Sequence, residues 1–209
     1  ISSNTTGNKN TAVGSNAMFN NTSGEFNTAT GYYALVNNTT GNDNSAFGTE
    51  ALATNTTGNY NSAFGSLSLA KNTTGISNTA VGFQTMIENT TGSYNTAVGD
   101  SSMANNTTGS NNAAYGYMTL FSNTTGAFNT ALGFRAGHTN NGDRNVFLGY
   151  EAGFNETGSN KLYISNSYAT NLITGDFSFA IVLTLSTADN NFSLLIFKMF
   201  VLLFGITLL

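Results

Sequence analysis

The sequence has no cysteine, no proline and no tryptophan, and only 8% of its 209 residues are charged. Without cysteine there is no disulfide framework and no trace of the redox compartment. Six Lys and Arg stand against ten Asp and Glu, a net charge of −4, with no basic patch. A nucleic-acid partner is therefore not expected. The acidic residues follow no regular spacing: Glu25, Glu50 and Glu88 fall at unrelated offsets. That excludes the regular aspartates of a calcium-binding nonapeptide roll. No glycine is followed by the lysine that a phosphate-binding loop requires. A single histidine cannot serve a catalytic triad repeated along the chain. The expectation is a protein that is not an enzyme, with no cofactor and no bound metal.

A chain poor in charge and rich in Asn, Thr and Gly could be low-complexity disorder. Against that, 40% of the residues are hydrophobic, and they recur at fixed columns. The phrase Asn123-Thr124-Thr125-Gly126 repeats backwards every 17 residues, through Asn106, Asn89, Asn72, Asn55, Asn38 and Asn21 to Asn4. A second phrase, Asn-Thr/Ser-Ala-apolar-Gly, follows at fixed offset, as at 10–14 and 95–99. Fixed-period repetition means a stacked array.

Two glycine columns punctuate each coil. One runs from Gly7 to Gly126 and suits a turn with positive φ; the other runs from Gly14 to Gly133. Between and beyond them lie two short apolar pieces, which the pattern predicts as two strands per coil. Helix is disfavoured by paired glycines, by Asn and Thr, and by the lack of a 3.6 period. The fold class is therefore all-β: a parallel β-solenoid whose coils bury one another's apolar sides. One strand spacing of about 4.8 Å per coil makes eight coils a rod of about 38 Å.

The predicted core comprises Val13, Phe47, Phe64, Val81, Val98 and Leu132 of the first piece. From the second piece it takes Met18, Leu35, Leu52, Leu69, Met86, Met103 and Leu120. An invariant alanine precedes the first set: Ala12, Ala29, Ala46, Ala63, Ala80, Ala97, Ala114 and Ala131. Neighbouring strand residues face opposite ways, so the two columns cannot share a side. The alanines either pack tightly inside the coil or form a close chain–chain interface. Because parallel strands are usually buried on both faces, the interface is the favoured reading.

The phrase Asn-Thr-Ala-Val-Gly followed by a small–apolar pair resembles the head repeats of trimeric autotransporter adhesins. The full Asn-Thr-Thr-Gly-x-x-Asn-Thr-Ala-Val-Gly unit is still more similar to arrays in phage tail-fibre and other surface proteins. The resemblance covers residues 4 to about 176, including the exit segment Asn160-Lys161-Leu162-Tyr163-Ile164-Ser165 and Ile173-Thr174-Gly175-Asp176. It implies a left-handed β-roll in a homotrimer at a cell or virion surface. The self-cleaving chaperone domain that often follows such arrays is not matched here.

The regular coils end at residue 133, and 134–176 read as irregular capping coils. Asn145 comes 16 residues after Asn129, Gly137 and Gly153 replace the Met/Leu column, and Phe147 interrupts the alanines. His138 falls here, near Asp143, Arg144 and Glu151. Without a second strong ligand it reads as a polar turn residue rather than a metal or acid–base centre, and Arg144 as a neutraliser of Asp143 and Glu151. From 177 the composition becomes apolar. Residues 192–209 suit a membrane span, a lipid-anchor signal or a segment buried against another subunit.

The functional expectation is an extracellular fibre or filament subunit. A trimeric adhesin or tail-fibre stalk is the alternative, and an ice-binding solenoid a further one. The chain begins with Ile inside a coil, which reads as a trimmed product. An uncapped first coil and the apolar tail together predict head-to-tail polymers. Finally, Asn4, Asn21, Asn38, Asn55, Asn72, Asn89, Asn106 and Asn123 each have Thr or Ser two residues on. They are either N-glycosylation acceptors in surface turns or an amide ladder between coils.

Overall fold

The computed structural model describes residues 3–167 and 170–176 and the backbone of 184–185. The apolar segment 192–209, with its three alternative roles, lies outside the described residues. The architecture is all-β: one twelve-stranded sheet in strict chain order, with no helix among the described residues. Nine three-residue strands open successive coils: β1 Thr11–Val13, β2 Thr28–Thr30, β3 Ser45–Phe47, β4 Ser62–Phe64, β5 Thr79–Val81, β6 Thr96–Val98, β7 Ala113–Tyr115, β8 Thr130–Leu132 and β9 Val146–Leu148. The four-residue β10 (Lys161–Ile164) continues the parallel stack. β11 (Ile173–Asp176) then turns back antiparallel, and β12 (Thr184–Leu185) pairs with it antiparallel. Register is fixed column to column: Ala29 faces Ala12 on one side and Ala46 on the other.

Each coil holds one strand, not the two that the apolar pattern predicts. The second apolar piece is a run of tight turns. Asn16 and Met18 both take left-handed φ, at 58° and 49°, and Leu35, Leu52, Leu69, Met86, Met103 and Leu120 repeat the pattern. Consecutive residues of opposite φ sign cannot form a strand. Left-handed backbone costs a residue with a Cβ about 1 kcal/mol, and cross-coil bonding offsets it: Leu35 N–H donates to Ala51 O at 3.0 Å, and Met18 N–H to Ala34 O at 2.9 Å.

The two glycine columns have different causes. Gly14 and its equivalents hold φ between 114° and 143° as far as Gly149, and a Cβ on Gly31 would sit 2.4 Å from Gly48 O. The Gly7 column does not adopt the positive φ expected of it. Glycine is needed there because coils approach too closely: a Cβ on Gly41 would meet Gly58 O at 2.4 Å and Asn38 Oδ1 at 2.5 Å.

The interior reverses part of the sequence reading. The alanines from Ala29 to Ala131 have no exposed surface, and Ala12 at the first coil packs against the same cluster. They are coil interior and cannot be a chain–chain interface. Opposite them lie Met18, Leu35, Leu52, Leu69, Met86, Met103 and Leu120, all fully buried, beside small residues such as Ala34 and Ser68. Val13, Phe47, Phe64, Val81 and Leu132, expected in the core, are exposed instead, and Val98 is half-exposed. The coil is so narrow that one Leu or Met from the far wall fills the space above an alanine, and no larger strand residue fits inside.

Amides fill the rest of the interior. Asn38 Nδ2 donates to Asn21 Oδ1 at 2.8 Å and to Gly41 O at 2.9 Å, and Asn55, Asn72, Asn89, Asn106 and Asn123 repeat this coil by coil. A second ladder runs from Asn10 to Asn145: Asn44 Nδ2 donates to Gly58 O at 2.8 Å, and Asn44 Oδ1 accepts from Asn61 N–H at 3.0 Å. Asn21 and its six successors to Asn123 are fully buried. A glycan on their Nδ2 would break two hydrogen bonds and demand space inside the coil, so the folded array excludes glycosylation of these seven. Asn4, at the first coil, is exposed, and its Nδ2 donates to Gly7 O at 2.7 Å.

Candidate interaction surface and end cap

The outward side of the strands carries two columns. The first residue is Thr or Ser in most strands, and the third is the apolar column from Val13 to Leu148. Past the Gly14 column a second solvent-facing column follows, two residues after the first: Ser15, Tyr32, Thr49, Ser66, Phe83, Asp100, Tyr117, Phe134 and Tyr150. The two columns together are called the stripe. Each coil contributes at least one apolar or aromatic side chain to it, and Asp100 is its single charge.

Rings stack along the stripe. Phe47 and Phe64 lie 5.0 Å apart with planes 5° from parallel; Phe134 stacks between Tyr117 and Tyr150 at 5.4 and 5.3 Å. In these pairs ring face packs on ring face. The ice-binding reading needs two outward threonines per strand. Among β1 to β9 only β2 supplies them, as Thr28 and Thr30.

A separate exposed row occupies the left-handed position just before the second asparagine ladder. Phe26, Tyr60, Tyr94 and Phe128 stand on every second coil, with Asp43, Ser77 and Asn111 between them. At the two ends of the row a cation covers a ring: Lys9 Nζ over Phe26 at 4.4 Å and Arg144 over Phe128 at 5.6 Å.

Comparison with protein-family models, curated proteins and solved structures finds no match. The reading of this surface therefore rests on its own geometry.

The cap coils keep the stack and exchange its parts. Phe147 stands in register with Ala131, fully buried, where alanine has been the rule. It fits because Gly137 and Gly153 have replaced the Leu/Met column. A Cβ on Gly153 would lie 2.3 Å from Phe147 Cδ1, and one on Gly137 2.5 Å from Cδ2.

His138 is sandwiched between Phe121 and Phe154, at 5.2 and 4.7 Å. Burial first, and then the nearby Arg135 guanidinium, hold its pKa below the ordinary histidine value, against an upward pull from Glu151. Glu151 pairs with Arg135 at 3.5 Å. Arg144, expected to neutralise Asp143 and Glu151, instead lies over Phe128, and Asp143 Oδ1 accepts the Ala127 N–H at 2.8 Å. The sequence missed Arg135 because charge proximity along the chain is a poor guide when neighbours lie a full coil away.

Beyond the last coil, a cavity of about 200 Å³ is lined by Gly153, Phe154, Asn155, Glu156, Tyr163 and Asn171. Tyr163 Oη donates to Glu156 Oε2 at 2.6 Å. Burial and then that carboxylate push the Tyr163 pKa up to about 12. Lys161 pairs with Asp176 across β10 and β11. Among the described residues no three His, Asp or Glu converge as a metal site.

Proposed function

We propose that this chain is a structural rod, a fibre or filament subunit at a cell or virion surface, and that copies associate side by side through the outward stripe from Val13 to Tyr150. The stripe carries the reading. Its large rings and aliphatic side chains are solvent-facing in one chain, and extended exposed apolar patches mark interaction surfaces. Two copies of the same solenoid share one coil spacing, so stripe can meet stripe residue for residue along the axis. The low charge of the stripe sets no electrostatic barrier to that contact. Stacked side chains fill the interior of the regular coils, and we assign the chain neither catalysis nor a cofactor.

The alternative is a stalk that displays contacts for a receptor. The row Phe26, Tyr60, Tyr94 and Phe128 favours it, since these rings are exposed on a different part of the coil from the stripe. Electron microscopy of the intact protein separates the two. Uniform laterally associated rods or filaments support the fibre. Discrete short rods that assemble normally after all four rings are changed to Ser, yet lose adhesion to target cells, support the stalk. Monomeric particles at micromolar concentration would overturn the assembly reading.

A further inference from the structure

The repeat contains a three-donor cradle in every regular coil but that of Thr56 and Thr57, where two N–H groups donate. Thr22 O accepts the N–H groups of Thr5, Thr6 and Gly7 at 2.9, 3.1 and 3.3 Å, and Thr39 O serves the next coil in the same way. Successive N–H groups aimed at one oxygen form a concavity suited to negative charge. At the junction with the cap, where one residue is lost from the coil, the acceptor changes. The cradle of Thr124, Thr125 and Gly126 closes on the side-chain Oδ1 of Asn141, with N–H donors at 2.8, 2.9 and 3.3 Å. The Thr124 and Thr125 hydroxyls lie 3.1 and 3.5 Å from the same oxygen. Asn141 is exposed and is followed by Gly142, the one Asn-Gly pair in the sequence. The Gly142 N–H has no hydrogen-bond partner among the described residues.

We propose that Asn141 is a self-modification site, at which the folded chain promotes conversion of this asparagine to aspartate. The Gly142 nitrogen gives its proton to solvent and attacks Asn141 Cγ. The Cγ–Nδ2 bond breaks, Nδ2 takes a proton and leaves as ammonia, and a five-membered imide forms. Water then opens the imide, so the net reaction is amide plus water to carboxylate plus ammonium. Negative charge develops on Oδ1 in the first addition. Two backbone donors already stand at the distances that stabilise an oxyanion, and their placement costs no reorganisation. Opening the imide at Cγ again puts the charge in the cradle, whereas opening at the main-chain carbonyl does not. The folded protein therefore yields the normal α-linked aspartate in preference to the β-linked isomer. The product carboxylate gains charge-assisted hydrogen bonds at the seam between array and cap.

The test follows residue 141 by peptide mass spectrometry in the full chain, held in mildly alkaline buffer with or without urea. The folded protein is expected to convert Asn141 at least as fast as the unfolded chain, with the α-linked product dominant. Conversion slower in the folded than in the unfolded protein would overturn the proposal, as would a folded-state product that is mostly the β-linked isomer. Persistence of the same charge change in Asn141→Gln places the chemistry elsewhere and also overturns it. Asn141→Asp, the product itself, is expected to melt no lower than the unconverted protein. A large fall in its melting temperature would contradict the accommodating cradle.

Discussion

Phe147 lies against the bare Cα of Gly153 in its own coil, so close that a Cβ there would stand 2.3 Å from Phe147 Cδ1. In the regular coils the same two positions are an alanine and a Leu or Met, as with Ala46 and Leu52. The cap thus conserves interior volume by exchanging large and small between facing walls. Phe147→Ala alone is expected to cost about 3–5 kcal/mol. Gly153→Leu alone is expected to disrupt the cap by overpacking. The double variant restores the regular pair and should recover much of the loss. Urea denaturation of the three variants measures the coupling; strictly additive losses would contradict the exchange.

The interior amides make a second prediction. Asn55 Nδ2 donates to Asn38 Oδ1 and Gly58 O, and Asn55 Oδ1 accepts from Asn72 Nδ2 at 2.8 Å. Asn55→Ala leaves buried partners unsatisfied and should cost about 1–3 kcal/mol. Asn55→Asp sets a carboxylate oxygen against two acceptor oxygens and should cost more. Mass spectrometry of native material should find Asn38, Asn55, Asn72 and Asn89 without sugar.

The His138 sandwich predicts a pH dependence. Its pKa in the folded state lies below the unfolded value of about 6.5. As pH falls through 6.5 the unfolded chain takes up a proton that the folded cap resists. Stability contributed at this site is therefore present above about pH 6.5 and declines toward the folded pKa. His138→Phe continues the Phe121–Phe154 stack without a titrating group. It should remove this component of the acid sensitivity of cap hydrogen exchange; an unchanged profile between pH 7 and about 5.5 would count against the assignment.

The period, the all-β class and the parallel stack were legible in the sequence, because every coil repeats the same small set of steric demands. Which side of the strand faces inward was not. Alternation puts Ala63 and Phe64 on opposite sides without saying which is inside, and apolarity then favours the wrong one. A better signal was available. The alanine column never varies, as a narrow interior requires, whereas its neighbour passes through Val, Thr, Phe, Tyr and Leu, a range of sizes tolerated only where side chains have room. The second apolar piece misled for a different reason. Leu and Met avoid left-handed backbone, so nothing local announces Leu35 or Met86 at positive φ. Their conformation is imposed by cross-coil bonding that appears only once the coils are stacked.

The alanine column holds the coil together, and we propose that the column beside it joins chains. Sedimentation of adjacent single variants, with circular dichroism as the check on folding, tests it most directly. Ala63→Leu overfills a fully buried site and should lose β structure, at a cost of about 1–3 kcal/mol or more. Phe64→Asp, one residue on and exposed, should keep the wild-type spectrum and sediment as a smaller species than the wild-type assembly. A well-folded Ala63→Leu protein that fails only to assemble, or a Phe64→Asp protein that assembles as the wild type does, would contradict the account.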